Sequence, residues 1–159
     1  QPNSVLLGND EGGFGVPIRF GGAKTSSRAI AVADFNADGH VDWAVGNIDS
    51  VNKVYLGDGK GGALGELAFG RPDGRTYAIA VSDLNNDTIP DIVVGNVLQP
   101  NAVFFCEDAG RRFEESRFGD SAAATYGLCT DDFNGDGFTD VATANSDGVN
   151  RIFLNIKDQ

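Results

Sequence analysis

Apolar and polar positions alternate along this chain in short bursts, separated by Gly- and Asp-rich gaps. Residues 28–34 read Arg-Ala-Ile-Ala-Val-Ala-Asp, an alternation that predicts a buried strand. Residues 42–47 predict a second strand, with Trp43 and Val45 on one side. Residues 52–57 predict a third, and residues 64–69 a fourth after a Gly-rich turn at 57–62. No stretch keeps a helical period over the length a helix needs.

The pattern then repeats. Asp34-Phe35-Asn36-Ala37-Asp38-Gly39 returns as Asp83-Leu84-Asn85-Asn86-Asp87-Thr88 and again as Asp132-Phe133-Asn134-Gly135-Asp136-Gly137, offset by 49 residues each time. Asn47, Asn96 and Asn145 follow in register. Another column, Asn3, Asn52, Asn101 and Asn150, precedes an apolar alternation such as Val54-Tyr55-Leu56. Four short strands per unit of this length are the signature of a propeller blade. The predicted fold is therefore all-β, a β-propeller of four-stranded antiparallel blades. Residues 1–159 form one domain of about three blade-equivalents, starting with strands three and four of one blade and stopping after strands one to three of another.

The Asp-rich element carries the chemistry. Calcium takes six to eight oxygens, and a loop Asp-x-Asn-x-Asp-Gly-x-x-Asp offers side chains at positions one, three, five and nine and a carbonyl at seven. The predicted ligands are Asp34, Asn36, Asp38, the carbonyl of His40, and Asp42 in the first loop. They are Asp83, Asn85, Asp87, the carbonyl of Ile89, and Asp91 in the second, and Asp132, Asn134, Asp136, the carbonyl of Phe138, and Asp140 in the third. About three Ca²⁺ per chain are expected. Position twelve is Val45, Val94 or Thr143 rather than Glu, so the loops join strands, not the helices of an EF-hand. Thr88 replaces Gly at position six of the second loop, where a β-branched residue resists positive φ, so that site is expected to be weaker. His40 is the single histidine. Its counterparts Ile89 and Phe138 mark it as a loop residue offering a carbonyl, not an acid–base group.

Charge supports this reading. The net charge is −11, and nine of the 23 acidic residues lie in the three loops. Three calcium ions would bring the total to about −5. Acidity of this kind argues against nucleic acid and anionic membrane surfaces, and no apolar run is long enough for membrane insertion. Gly is abundant at 22 residues and Met is absent, as suits short strands and tight turns. Cys106 and Cys129 fit no metal motif and fall in different columns of the repeat. Two small buried thiols are favoured over a bridge. The chain begins at Gln1 rather than Met and reads as a processed or excised piece of a longer product.

The three Asp-rich loops, their flanking strands (29–32, 43–47 and 4–8) and the elements Phe14-Gly15, Pro17 and Phe69-Gly70 resemble the FG-GAP/VCBS repeats of integrin-α-type propellers. The resemblance implies calcium between strands one and two of each blade and an extracellular, cell-surface or periplasmic setting. It also implies a ligand face opposite the loops, where Arg28, Tyr77 and Tyr126 form one column and Ser27, Thr76 and Thr125 the one before it. Exposed Tyr and Arg are frequent binding anchors.

The expected function is a non-catalytic, calcium-binding module for extracellular protein or glycan binding or adhesion. A structural spacer without a ligand and an accessory domain of a secreted carbohydrate-active enzyme are the alternatives. Catalysis is disfavoured because no Ser-His-Asp or Cys-His set is present and the conspicuous carboxylates belong to the loops. Propellers close with about four to eight blades. The expected partner is therefore a second copy, forming a homodimer that closes a six-bladed ring, unless the chain is a fragment of a longer propeller.

Overall fold

The computed structural model describes residues 2–22 and 25–156. All regular structure among them is β. The first four-stranded sheet is an antiparallel meander of β3 (Ser26–Ala33), β4 (Asp42–Ile48), β5 (Asn52–Gly57) and β6 (Ala63–Phe69). The second repeats it with β7 (Thr76–Ser82), β8 (Asp91–Asn96), β9 (Asn101–Glu107) and β10 (Arg112–Phe118). The third has β11 (Ala124–Asp131), β12 (Asp140–Ser146) and β13 (Arg151–Phe153). Ahead of them, β1 (Asn3–Val5) pairs with β2 (Ile18–Phe20) as a half-blade. These are propeller blades; the strands of the first lie within one or two residues of the alternating runs that predict them, whereas β1 stops at Val5, short of the predicted 4–8.

The blades stack through their faces. Ala44 and Val54 of the first blade, with Leu56 beside them, pack on Ile92, Val94, Ile79 and Val81 of the second. One repeat later, Val93, Val103 and Phe105 of the second blade pack on Val141 and Leu128 of the third. The half-blade lays Val5 and Phe20 on Trp43, Val45 and Tyr55. There Phe20 meets Trp43 and Tyr55 edge-on, at centroid distances of 5.2 and 4.9 Å. Phe35, the second residue of the first loop, is fully buried in the core between the first two blades.

Two expectations need correction. The run at 28–34 reads as buried, yet Ile30 and Val32 are 60% and 61% exposed. Their counterparts Ile79 and Val81 are covered by the first blade, whereas β3 faces only the two-stranded β1–β2 sheet. The cysteines are unbridged, as favoured, but only Cys106 is buried and Cys129 is exposed. Burial pushes the Cys106 thiol up to about 11, so it is an inert core residue.

Candidate metal centre and ligand face

Each acidic loop leaves the first strand of a blade and ends on the first residue of the second, at Asp42, Asp91 or Asp140. In the first loop Asp34 accepts from the amides of Asp38 (3.1 Å) and Gly39 (2.8 Å). Asn36 Oδ1 accepts from the Asp38 amide at 3.1 Å, and Asp38 Oδ1 accepts from the His40 amide at 2.8 Å. The second loop repeats these bonds with Asp83, Asn85 and Asp87, and the third with Asp132, Asn134 and Asp136. The amide and backbone bonds to Asp38 hold its carboxyl below the usual carboxylate range. Backbone bonds, led by the Gly137 amide, do the same for Asp132.

Positions four and six of every loop have positive φ. They are Ala37 and Gly39 in the first, Asn86 and Thr88 in the second, and Gly135 and Gly137 in the third. Thr88 is the exception in sequence only. At φ 72° it still donates to Asp83 Oδ2 at 2.8 Å, as Gly39 does to Asp34 and Gly137 to Asp132. The hydrogen-bond frame of the loop overrides the strain of a β-branched residue, which is of order 1–3 kcal/mol.

The ninth-position carboxylates do something the spacing does not reveal. Asp42, Asp91 and Asp140 are completely buried. Asp42 accepts from the amides of Phe35 (2.9 Å) and Gly57 (2.7 Å). Asp91 accepts from Leu84 and Cys106, both at 2.9 Å, and Asp140 from Phe133 (3.0 Å) and Asn155 (2.8 Å). Each therefore bolts the start of its loop to the end of the third strand. Burial pushes the carboxyls of Asp42 and Asp91 up, against the pull of these amides. The sequence offers Asp42, Asp91 and Asp140 as ninth-position ligands; in the structure both oxygens of each carboxylate accept from backbone amides. Among the described residues no three Asp, Glu, His or Cys side chains are grouped as a metal would need. The physical reason is that the ninth residue opens strand two and points into the blade.

The donor set nonetheless suits a hard cation. Positions one, three and five carry carboxylate and carboxamide oxygens at half-buried or exposed side chains within one tight loop, and the Asn at position three also donates from Nδ2 to the position-five carboxylate at 2.9 Å. The His40 side chain is not part of it. The ring lies against Gly59, where an added Cβ would fall 2.6 Å from Nδ1.

At the opposite end of the blades, Arg28, Tyr77 and Tyr126 come together. Each sits at a register shift in the first strand of its blade, between Ser27 and Ala29, Thr76 and Ala78, and Thr125 and Gly127. The extra residue breaks the pleat and turns these side chains along one line. The Arg28 guanidinium lies 5.7 Å from the Tyr77 ring centre, and Tyr77 meets Tyr126 edge-on at 5.0 Å. Tyr126 is 52% exposed.

Beside them runs a polar relay that joins the Ser27, Thr76 and Thr125 column of the expected ligand face to Asn columns that the sequence left without a role. Asn52 Nδ2 donates to Thr76 Oγ1 (3.0 Å), which donates to Asn96 Oδ1 (2.9 Å), and the Asn96 amide donates to Asn101 Oδ1 (2.9 Å). Asn101 continues it to Thr125 (3.0 Å) and Asn145 (2.7 Å), while Asn3, Ser27 and Asn47 begin it. The signal was visible as two Asn columns and a Ser/Thr column at the same 49-residue offset. Buried polar groups that recur in register need partners that recur in register.

Residues 34–94 match the family described as FG-GAP-like repeat, and residues 124–153 match the FG-GAP repeat. No curated protein matches the chain. Repeats of this kind are typical of extracellular binding and adhesion modules. No helix among the described residues is long and apolar enough to cross a membrane. With both matches falling on the loops and blades described above, and together covering more than half of the sequence, the chain belongs to the FG-GAP repeat family.

Proposed function

We propose that this protein is a calcium-stabilised, non-catalytic propeller module that works outside the cell or in the periplasm and binds a protein or glycan. One observation carries the metal: three loops 49 residues apart share one hydrogen-bond frame, and each presents oxygen donors at positions one, three and five. Asp34, Asn36 and Asp38, with their counterparts in the other loops, would hold Ca²⁺, and the carbonyls of His40, Ile89 and Phe138 would join them. The ion would neutralise carboxylates that otherwise repel one another. Asp42, Asp91 and Asp140 keep the loop closed behind it. The exposed line of Arg28, Tyr77 and Tyr126 is the ligand face this reading favours.

The outer faces favour a further blade at each end. Ile30 and Val32 are bare on one side, and Ile152 and Leu154 on the other are 57% and 52% exposed. Both sets occupy positions that are packed between the inner blades. A second copy closing a six-bladed ring, or more blades of a longer propeller, would cover them.

Calorimetric titration with CaCl₂ and light scattering test both parts. The expected result is uptake of about three Ca²⁺ with Kd near 10⁻⁴–10⁻³ M and a particle of twice the chain mass. No uptake at millimolar calcium would overturn the metal reading, and a monodisperse monomer would overturn the second copy.

A further inference from the structure

A cleft of about 120 Å³ opens between the first and second blades, at the end opposite the acidic loops. Its floor is the relay of Asn52, Thr76 and Asn96, already saturated with hydrogen bonds. Two connections form its walls. Arg71, in the connection from β6 to β7, makes two bonds of 2.9 Å to Asp73. Gln99, in the connection from β8 to β9, donates to the Asp73 carbonyl (2.9 Å) and accepts from the Arg75 amide (3.3 Å). Gln99 thus stitches the two walls across the blade junction. On the outer side stand Glu115 and Arg117 of β10, two residues apart and so on one face of the strand. Their mutual bond runs from Arg117 Nε to Glu115 Oε1, which leaves the outer nitrogens of the guanidinium and the second carboxylate oxygen unengaged by it.

The sister junction shows which of these features the fold requires. Between the second and third blades a cavity lies at matching positions, and its relay of Asn101, Thr125 and Asn145 is intact. The rim is not conserved by the repeat. Asp120 stands where Arg71 does, Gly148 where Gln99 does, and Val149 where Pro100 does. Asp120 serves its own turn, accepting from the Ala122 amide at 2.8 Å. The floor is therefore structural, and the two connections at the rim of the first junction are free to serve recognition.

The chemistry of that rim selects among ligands. Two guanidiniums, Arg71 and Arg117, and one carboxylate, Glu115, line it, with Arg71 held by Asp73 behind the rim. An anion would meet Glu115, and a cation would meet the arginines. A neutral ring with neighbouring hydroxyls uses both, since each hydroxyl donates and accepts. Pro100 offers an apolar edge for the C–H face of such a ring. We propose that the cleft between the first and second blades is a subsite for one neutral pyranose unit of a glycan. This rests on the reading of the protein as a binding module and names a ligand class for it, but it does not depend on the metal.

The test is titration of ¹⁵N-labelled protein, in calcium, with the methyl pyranosides of glucose, galactose, mannose and N-acetylglucosamine. A single ring makes few contacts, so binding is expected only at millimolar concentrations, with the sugar taken to about 50 mM. At least one sugar should shift the amides of residues 70–76, 96–102 and 114–118. Arg117→Ala and Glu115→Gln should each weaken that binding about tenfold, as expected for loss of a hydrogen bond to a charged group, and Tyr126→Ala should not. The proposal is overturned if no neutral sugar shifts these amides, if both rim variants bind as the parent does, or if only glucuronate or phosphate binds there. Calcium uptake measured on the same sample keeps the two readings apart. Sugar shifts without uptake would sink the metal and keep the cleft, and uptake without sugar shifts would do the reverse.

Discussion

Thr88 makes the same bond to Asp83 that Gly39 makes to Asp34, although a β-branched Thr resists the positive φ that Gly adopts freely. At the other end of the blades, Arg71 and Asp120 hold matching positions and do unrelated things. The loop end keeps its geometry even where its sequence drifts. The opposite end keeps its relay and lets its rim diverge. A region that resists substitution in this way is bearing structure or a metal, whereas one that diverges among repeats under the same packing is available for recognition.

The largest effect should come from breaking the bolt behind a loop. Asp91→Ala strands two buried amides, those of Leu84 and Cys106, and should cost about 3 kcal/mol in urea denaturation. The loss should persist in chelator, because the bonds are to backbone. A loss seen only with calcium would make Asp91 a ligand first and a bolt second. Next comes the relay at the opposite end. Thr76→Val keeps the shape but leaves Asn52 Nδ2 and Asn96 Oδ1 without the hydroxyl, for about 2 kcal/mol. A neutral result would mean that the relay is incidental to blade stacking. The smallest effect sharpens the comparison of the loops themselves. Thr88→Gly relieves a strained φ and should stabilise the protein by about 1 kcal/mol, net of glycine's greater freedom when unfolded. It should also bring calcium affinity of the second loop up to that of the first. A destabilised Thr88→Gly variant would show that Thr88 contributes contacts that outweigh its strain.

Much of this is legible in the sequence alone. The alternation at 42–47 and 52–57 places β4 and β5 almost to the residue, because one buried face forces a period of two. The loops were legible because all their bonds fall within six residues. The bolt was not, since one of the two partners of Asp42 is Gly57, fifteen residues on, and that meeting depends on the pairing of β4 with β5. Burial of Ile30 and Val32 was misjudged because alternation shows that a strand has an apolar face, not whether a neighbour covers it. The column of Arg28, Tyr77 and Tyr126 could be listed from the repeat, but the bulges that turn the three side chains into one line could not.

The sequence by itself determined the blade, the period and the oxygen-rich loops, because each rests on residues close together in the chain and on the chemistry of their side chains. Tertiary structure alone decided which Asp faces outward and which locks the loop, and which Asn and Thr meet across blades. It also decided that Arg71, Gln99 and Arg117, drawn from two connections and a strand, enclose one cleft. Those outcomes depend on how neighbouring blades pack, and packing between distant segments is set by the whole fold rather than by any one stretch of it.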